Sequence, residues 1–252
     1  VDGSDPVSSS SAKEAAGEYS TAVVNISKYT VVKAVIVKDD ANYSRTVTQV
    51  YDIVNKKPAK PLVTMLPGSY TRKISDNTGF YTQFMPVPSG TEIYYTISYD
   101  GSFSPDPIPN TSGTLKYEGQ PIDIKGHTII KAAAVNGFGV KSDIGIFEYI
   151  ISPEAPKAAP SSVICGSKLP VIPVSAVKGS TVKYEINGFT NEFFCENGSF
   201  YIDTNTGSAY ADKDCTTLLG TVSNDVLSAP AVLNIRAMLD GIESLVNSYK
   251  YS

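Results

Sequence analysis

The fold is decided by residues 126–149, which read GHTIIKAAAVNGFGVKSDIGIFEY. Residues 28–51 read KYTVVKAVIVKDDANYSRTVTQVY and align with this stretch without a gap. The identical pairs include Thr30 and Thr128, Lys33 and Lys131, Ala34 and Ala132, Ser44 and Ser142, and Tyr51 and Tyr149. A third copy, residues 233–251, reads LNIRAMLDGIESLVNSYKY. Its matching positions are Arg236 in the place of the lysine, Ala237, Ser244 and Tyr251. Internal repetition of this kind predicts an array of similar folding units.

Two proline-rich stretches separate the copies. KKPAKP at 56–61 precedes the second copy, and SPEAPKAAP at 152–160 precedes the third. Such stretches form extended, semi-rigid connectors rather than core. We therefore predict three modules, residues 1–57, 58–152 and 153–252, in an elongated arrangement.

The first module is expected to be incomplete. Its opening letters, VDGSDP at 1–6, resemble YDGSFSPDP at 99–107, which in the second module follows the strand-like run TEIYYTISY. No such run precedes the motif in the first module. We expect residues 1–57 to hold only the C-terminal part of a module. The missing strands then belong either to a longer chain cut at this boundary or to another chain.

The composition predicts an all-β protein. The copies are rich in Val, Ile, Thr and Tyr, and the run at 91–99 alternates its side chains between two faces, as strands do. Clusters of Gly, Pro, Asn, Asp and Ser interrupt these runs about every 8–12 residues, a spacing that favours β-sandwiches. The recurrent Lys-Ala pairs and tyrosines are therefore expected to be structural, with the alanines pointing inward and each tyrosine hydroxyl reaching a partner.

Charge and hydropathy exclude two classes of partner. The net charge is −4, charged residues make up 18% of the chain, and no basic stripe is present, which argues against nucleic acid. No apolar run approaches membrane-spanning length, so no membrane insertion is expected in this stretch. A polar surface rich in Ser, Thr, Asn and Tyr, together with tandem modules, is typical of extracellular or cell-surface bacterial proteins.

The order of motifs in the second module resembles a known family. It consists of a GTEIYYT strand, a DGS turn, a QPIDI strand, TIIKAAAV and a closing FEYII. This order is similar to the chitobiase/β-hexosaminidase C-terminal-type domain, an immunoglobulin- or fibronectin-III-like sandwich found in tandem on secreted bacterial enzymes and surface proteins. The resemblance implies three immunoglobulin-like sandwiches and no catalytic residues. The third module departs from the pattern, because NGFTNEFFCENGS at 187–199 replaces the DGS turn.

Metal and cofactor sites are not predicted. The three cysteines, Cys165, Cys195 and Cys215, all lie in the third module, and their spacing matches no zinc pattern. Their odd number excludes complete internal pairing. Cys195 and Cys215 flank a hairpin-like segment, so a disulfide between them is one interpretation and three reduced cysteines are the other.

Catalysis is not predicted either. His127 is the only histidine of the chain and aligns with Tyr29, which favours a turn or surface residue over a general base. If His127 is not a base, the chain has no other histidine to form a Ser-His or Cys-His pair. Asp100 and Asp106 could in principle act as paired carboxylates, but they lie close together in a turn, where aspartate usually caps its own backbone.

Binding residues are sought among positions that do not repeat, since repeated positions serve the fold. The most aromatic of these, in the third module, are Phe193, Phe194, Phe200, Tyr201 and Tyr210. Loops on a rigid sandwich commonly carry binding function, so these side chains form either a partner surface or the packing of an irregular hairpin.

The function expected is non-catalytic. The chain is interpreted as a structural or binding region of a larger secreted or surface-anchored bacterial protein, acting as a spacer or adhesive module. One alternative is a carbohydrate-binding appendage of a glycoside hydrolase. Another is an adhesin that binds a host protein such as an immunoglobulin or mucin. The partner is thus a protein or a glycan at the cell exterior, and the absence of tryptophan favours a protein.

Overall fold

The structure is a computed structural model that describes residues 6–7, 23–26, 30–39, 42–51, 56–76, 78–163, 171–220 and 230–252. The chain divides into two compact units, residues 1–56 and 57–252. Every regular element in the described part is a β-strand, so the all-β class predicted from the sequence is confirmed.

The first unit contains four described strands. They are β1 (Thr30–Ala34), β2 (Val37–Asp39), β3 (Asn42–Tyr43) and β4 (Val47–Tyr51). Strand β1 pairs antiparallel with β4, and β2 pairs with β3. Ala34 and Tyr51 are exposed, so the inward position expected for Ala34 is wrong. The reason is that the described strands of this unit form only two-stranded sheets, which leave one side of each strand pair uncovered.

The first half of the second unit is built from seven strands. They are β5 (Gly68–Arg72), β6 (Phe80–Thr82), β7 (Thr91–Ser98), β8 (Leu115–Lys116), β9 (Ile122–Ile124), β10 (His127–Asn136) and β11 (Gly145–Pro153). One sheet has the order β5-β11-β10-β7-β8, and β6 pairs with β9 in a second sheet. Between the sheets lies a hydrophobic cluster, here called the first core, which includes Ile93, Ile124, Ile130 and Phe147.

Ten further strands complete the second unit. They are β12 (Lys157–Ala158), β13 (Ser162–Val163), β14 (Val171–Ser175), β15 (Ser180–Ile186), β16 (Phe189–Cys195), β17 (Ser199–Asp203), β18 (Ser208–Tyr210), β19 (Ala231–Leu239), β20 (Ile242–Glu243) and β21 (Asn247–Tyr251). One sheet runs β13-β21-β19-β15-β16, with β20 on β19, and the other runs β12-β14-β17-β18. They enclose the second core, which includes Ile172, Val182, Phe200 and Ile235.

The two halves share one topology. In the first, β5 runs parallel to β11, and β10 lies between β11 and β7. In the second, β13 runs parallel to β21, and β19 lies between β21 and β15. The repeat detected in the sequence is therefore a repeat of strand order and strand direction.

The recurrent tyrosine has the same role in both halves. Tyr149 and Tyr251 are fully buried. The hydroxyl of Tyr149 donates to the carbonyl of Met65 at 2.8 Å, and that of Tyr251 donates to the carbonyl of Pro160 at 3.1 Å. Both expectations for these residues, a buried ring and a bonded hydroxyl, are confirmed.

Strand pairing shifts the third copy by two residues relative to the sequence alignment. Tyr251 pairs with Ala231 as Tyr149 pairs with Thr128. Counting from these pairs puts Asn234, rather than Arg236, at the position equivalent to Lys131.

The loop length explains the shift. Ser244 bonds the amide of Ala237, seven residues earlier, as Ser142 bonds the amide of Ala134, eight residues earlier. The turn before Ser244 is therefore one residue shorter, where the sequence alignment took it to be three residues shorter. A shift of two residues keeps each side chain on its own sheet face, so Ala237 is buried as expected.

Candidate functional site

Two of the aromatic residues predicted to bind a partner are core residues. Phe193 and Phe200 are buried, and their rings meet edge to face with centroids 4.8 Å apart. The prediction that they form a binding surface is therefore corrected. Strand alternation is the reason, because Phe193 and Phe200 fall on the inward positions of β16 and β17.

The other three aromatics lie on two different sheets. Phe194 is 60% exposed on β16, and the partly exposed Tyr201 and Tyr210 pair across β17 and β18. Because β16 belongs to one sheet and β17 and β18 to the other, the fold does not gather these side chains into one surface.

The disulfide considered for the third module is not formed. Cys195 and Cys215 are both free thiols. Burial raises the pKa of the Cys195 thiol, since its side chain faces the second core. Burial, with the nearby carboxylates Asp203, Asp212 and Asp214, raises the pKa of the Cys215 thiol. Cys165 lies outside the described residues.

The acidic turn residues have structural partners. The Asp100 carboxylate accepts hydrogen bonds from the hydroxyl and the amide of Ser102, at 2.6 and 3.0 Å, and these bonds lower its pKa. Asp106 accepts from the Lys131 ammonium at 3.0 Å. His127 Nε2 lies 2.7 Å from Glu148 Oε1 on the surface. Each of these groups stabilises a turn or a strand end.

The second half has a groove on the outer face of β16, β15 and β19. It has a volume of about 560 Å³. Its lining residues are Lys183, Tyr184, Glu185, Thr190, Asn191, Glu192, Asn234, Arg236 and Val246. The volume falls within the range of about 300–1,000 Å³ that is typical of ligand sites.

Strand register arranges the outward side chains of this groove in rows across the sheet. One row contains Thr190, Glu185, Asn234 and Ser248. The next contains Glu192, Lys183 and Arg236. A third contains Phe194, Thr181, Met238 and Glu243. Side chains in one row are separated by the strand spacing of about 4.8 Å, so the groove presents a regular grid of polar groups bordered by one exposed ring.

Ion pairs balance the charges of the groove. Lys183 Nζ lies 3.2 Å from Glu192 Oε2, and Arg236 Nη1 lies 3.1 Å from Glu243 Oε2. The Asn234 Oδ1 atom accepts a hydrogen bond from the Ser248 hydroxyl at 2.7 Å. Glu185 has no ion-pair partner among the described residues. Both cations of the groove are therefore neutralised by an ion pair, while its amide, carboxylate and ammonium groups remain partly exposed to solvent.

The equivalent face of the first half is covered. There the Thr96 hydroxyl donates to the Pro105 carbonyl at 2.8 Å, and Lys131 Nζ lies 5.4 Å from the centroid of the Phe103 ring. The chain between Pro105 and Phe103 thus lies across the sheet, and Thr96 is only 3% exposed. The residue equivalent to Thr96 in the second half is the exposed Glu185.

A change of turn leaves the groove open. Asn187 and Gly188 have φ values of 46° and 83°, and they join β15 to β16 as a two-residue hairpin. Positive φ at both positions is the signature of the type I′ turn, for which Asn-Gly is the preferred sequence. After this turn the chain continues as an edge strand of the same sheet, whereas after the Asp100 turn it crosses the sheet face.

Sequence reasoning missed the polar residues of this groove. Binding residues were expected at non-repeating positions, whereas the strands that resemble the repeat contain Lys183, Glu185, Asn234 and Arg236. The signal was present, because alternation in VKYEI at 182–186 puts Lys183 and Glu185 on the outward face. The Asn-Gly pair two residues later also predicts a hairpin rather than a covering loop.

The second notable feature is the connection between the two cores. On the side of the first core, the Glu154 amide donates to the Arg72 carbonyl at 2.8 Å, and the Glu154 carboxylate accepts from the Ile74 amide at 2.9 Å. Glu154 also pairs with Lys157 at 2.8 Å. The hydrogen bond from Lys157, which has the largest effect, and the bond from the Ile74 amide lower the pKa of the Glu154 carboxyl group.

The same connection is bonded to the second core. The Pro156 carbonyl accepts hydrogen bonds from Asn247 Nδ2 at 2.9 Å and from the Tyr249 hydroxyl at 3.3 Å. Further along, Ala158 is buried in the second core. The segment from Glu154 to Ala158 is thus held at both ends, and we call it the joint.

The two halves also meet by their backbones beside the joint. Gly126 lies so close to Asp240 that a Cβ atom on Gly126 would overlap the Asp240 carbonyl oxygen. Strand β11 of the first half contacts β19 and β20 of the second. Only a residue without a side chain fits this approach, so the sequence is adapted to contact between the halves as well as to each core.

Comparisons with known proteins find one family model and several solved structures that resemble parts of this chain. A family model described as Fn3 associated matches residues 88–149. A structure of Clostridium thermocellum CbhA fibronectin(III)-like modules is 17% identical, covers 75% of this chain and 93% of that chain, and has a TM-score of 0.22. The surface layer protein SbsC, domains 4–9, is 12% identical over 89% of this chain and 36% of that chain, with a TM-score of 0.26.

Other comparisons add little. Drosophila N-cadherin EC1–3 is 14% identical over 90% of this chain and 77% of that chain, with a TM-score of 0.27. A comparison with curated proteins finds no match. In the described part of the chain, no helix has the length and apolarity needed to cross a membrane.

Proposed function

We propose that this chain is a non-catalytic spacer within a larger secreted or surface-anchored bacterial protein. The proposal includes three immunoglobulin-like modules of the chitobiase/β-hexosaminidase C-terminal type, residues 1–57, 58–152 and 153–252, the first incomplete. The fibronectin-III-like match over residues 88–149 supports an extracellular role, since such modules are typical of exterior proteins.

The observation that carries the proposal is the joint. A spacer must fix the distance and orientation between its two ends, and a freely hinged connection between two modules cannot do so. Interfaces between domains of one chain are ordinarily mobile unless the connection is held by extensive contacts. Here Glu154 is bonded to the first half and Pro156 to the second, while Gly126 and Asp240 bring the backbones together. The two halves are therefore expected to move as one body.

Residual dipolar couplings test this expectation. We expect the amide couplings of β7 and β10 and those of β15 and β19 to fit one common alignment tensor in the full chain. Gly126→Ala is expected to require two tensors, because the added Cβ atom overlaps the Asp240 carbonyl and forces the halves apart. Two tensors in the unaltered chain would contradict the spacer proposal.

A matched control separates this effect from backbone strain. Gly126 has a φ of 44°, so alanine there is strained as well as crowded. Gly139 has a φ of 79° and no atom within 4 Å of an added Cβ. Gly139→Ala therefore carries the strain without the clash, and its couplings should still fit a single tensor.

Two binding functions are compatible with the same scaffold. A carbohydrate-binding appendage of a glycoside hydrolase and an adhesin for a host protein such as an immunoglobulin or mucin both need an exposed surface on a rigid support. The groove on β16, β15 and β19 is the surface that favours such a function. Of the predicted aromatics, Phe194 remains a binding candidate beside it, and Tyr201 and Tyr210 remain candidates on the opposite sheet.

A further inference from the structure

The groove is a specialised surface of the third copy. Its residues Lys183, Glu185, Asn234 and Arg236 occupy the positions that Tyr94, Thr96, Lys131 and Ala133 occupy in the second copy. In the second copy this face is buried, with Ile129 at 1% and Ala133 at 2% exposure. In the third copy the residue equivalent to Ile129 is Val232, which is 40% exposed. The third copy therefore presents an open polar sheet face where the second copy has a covered one.

The charges of the groove indicate a neutral ligand. Its lining contains two cations, Lys183 and Arg236, and two anions, Glu185 and Glu192. Lys183 is paired with Glu192, and Arg236 with Glu243 just outside the lining. A strongly charged ligand would meet an opposite and a like charge within one strand spacing, so its net electrostatic gain would be small. Polar groups that both donate and accept hydrogen bonds instead match a polyhydroxylated molecule.

The centre of the groove is unlike the centre of a protein interface. Protein interfaces are depleted in charged residues at their core and enriched in aromatic ones. The centre here consists of Lys183, Glu185 and Arg236, and the exposed ring of Phe194 lies in the neighbouring row of the sheet. This arrangement reverses the preference for a protein partner that the lack of tryptophan suggested.

Strand addition at the edge of this sheet is also disfavoured. Strand β16 is the edge strand, and a partner strand would need its outward amides. The Glu192 amide already donates to the Asn191 side-chain oxygen at 2.8 Å. The Asn191 side chain therefore occupies one of the amides that a partner strand would need, and natural edge strands are often protected against pairing.

From these observations we infer that the groove binds a neutral oligosaccharide chain lying across β16, β15 and β19. The Asn234 amide nitrogen donates to no described residue, while its Oδ1 atom is held by Ser248, so the amide is oriented to donate to a sugar hydroxyl. Glu185 accepts from a hydroxyl, and the Phe194 ring packs against the C–H face of a sugar ring at the end of the chain. The inference goes beyond the spacer role and does not depend on it.

The test uses the full 252-residue chain and neutral hexasaccharides of glucose, xylose and mannose as probes. Titration followed by amide chemical shifts is expected to show saturable shifts at Glu185, Thr190 and Asn234 with at least one probe. Raising the salt from about 50 to 500 mM should change the dissociation constant little, since a neutral ligand has no charge to screen. Polygalacturonate is the anionic comparison and should bind weakly.

Two variants assign the binding to the groove. Asn234→Ala combined with Phe194→Ala should weaken binding by about tenfold or more, because a donor and a packing ring are both removed. Phe138→Ala is the matched control, since Phe138 is 57% exposed, close to the 60% of Phe194, but lies in a turn of the other half. The control should bind as the unaltered chain does, and amide spectra check that both variants remain folded.

Three results would overturn the inference. The first is the absence of saturable shifts in the groove with all three neutral probes. The second is stronger, steeply salt-dependent binding of polygalacturonate, which would assign the groove to an anionic ligand. The third is unchanged binding after Asn234→Ala with Phe194→Ala. None of these results bears on the rigidity of the joint, so the spacer proposal is tested separately.

Discussion

At the level of single residues, the recurrent serine makes the same hydrogen bonds in all three copies of the repeat. Ser142 makes three hydrogen bonds: its amide donates to Ala134, its Oγ accepts from the Ala134 amide, and its hydroxyl donates to Asp143. Ser44 makes the same bonds to Ile36 and Arg45. Ser244 makes them to Ala237 and Leu245. A hydroxyl that donates and accepts at once is needed at the end of this hairpin, so the position is constrained by chemistry.

This role predicts a graded effect of removing the hydroxyl. Ser142→Ala should lower the free energy of unfolding of the second unit by about 1–3 kcal/mol, because the buried Ala134 amide loses its acceptor. Ser44→Ala should have an effect within about 0.5 kcal/mol, because Ile36 is exposed and water replaces the lost bond. Urea unfolding followed by resolved amide signals measures both. Equal losses in the two variants would contradict this account.

At the level of elements, the inner row of β10 sets the spacing of the first core. Ala132 is completely buried between the sheets. Ala132→Leu should overpack this row and cost about 1–3 kcal/mol of unfolding free energy. Ala34 occupies the equivalent position in the first copy but is exposed, so Ala34→Leu is the control and should be nearly neutral. An unchanged melting temperature for Ala132→Leu would show that the core has room to accommodate the larger side chain.

The strands were predictable from the sequence to the extent that they repeat. Their composition and alternation predicted the all-β class and the inward alanines of the complete copies, both of which the structure confirms. Repetition could not decide whether residues 187–215 form a loop or a hairpin, because no other part of the chain repeats this segment. Its period-two pattern, with Phe193 and Cys195 inward and Phe194 outward, is the local signal that repeat-based reading passed over. The groove was missed for the opposite reason, because its residues Lys183, Glu185 and Asn234 lie in strands that resemble the repeat.

For the whole molecule, the proline-rich connector was predictable but its attachment was not. The sequence of SPEAPKAAP indicates an extended, semi-rigid segment, but it does not indicate which residues hold that segment in place. Its rigidity comes from partners distant in sequence: Ile74 is 80 residues from Glu154, and Asn247 is 91 residues from Pro156. Side-chain contacts over such separations leave no local pattern. Gly126 shows the same limit, because its closeness to Asp240 depends on how the two halves meet.

The whole chain is also expected to lack catalytic turnover. It contains one histidine, and His127 is engaged with Glu148 at 2.7 Å on the surface. Burial raises the pKa of Cys195 and of Cys215, so both thiols are poorer nucleophiles at neutral pH. Asp100 and Asp106 are bonded to Ser102 and Lys131 rather than directed across a cleft. Chromogenic glycosides, esters and peptides should therefore give no signal above a buffer blank. Turnover that is lost in Asp100→Ala or Asp106→Ala would instead assign these turn carboxylates to an active site. That result would contradict the proposal that the chain is non-catalytic.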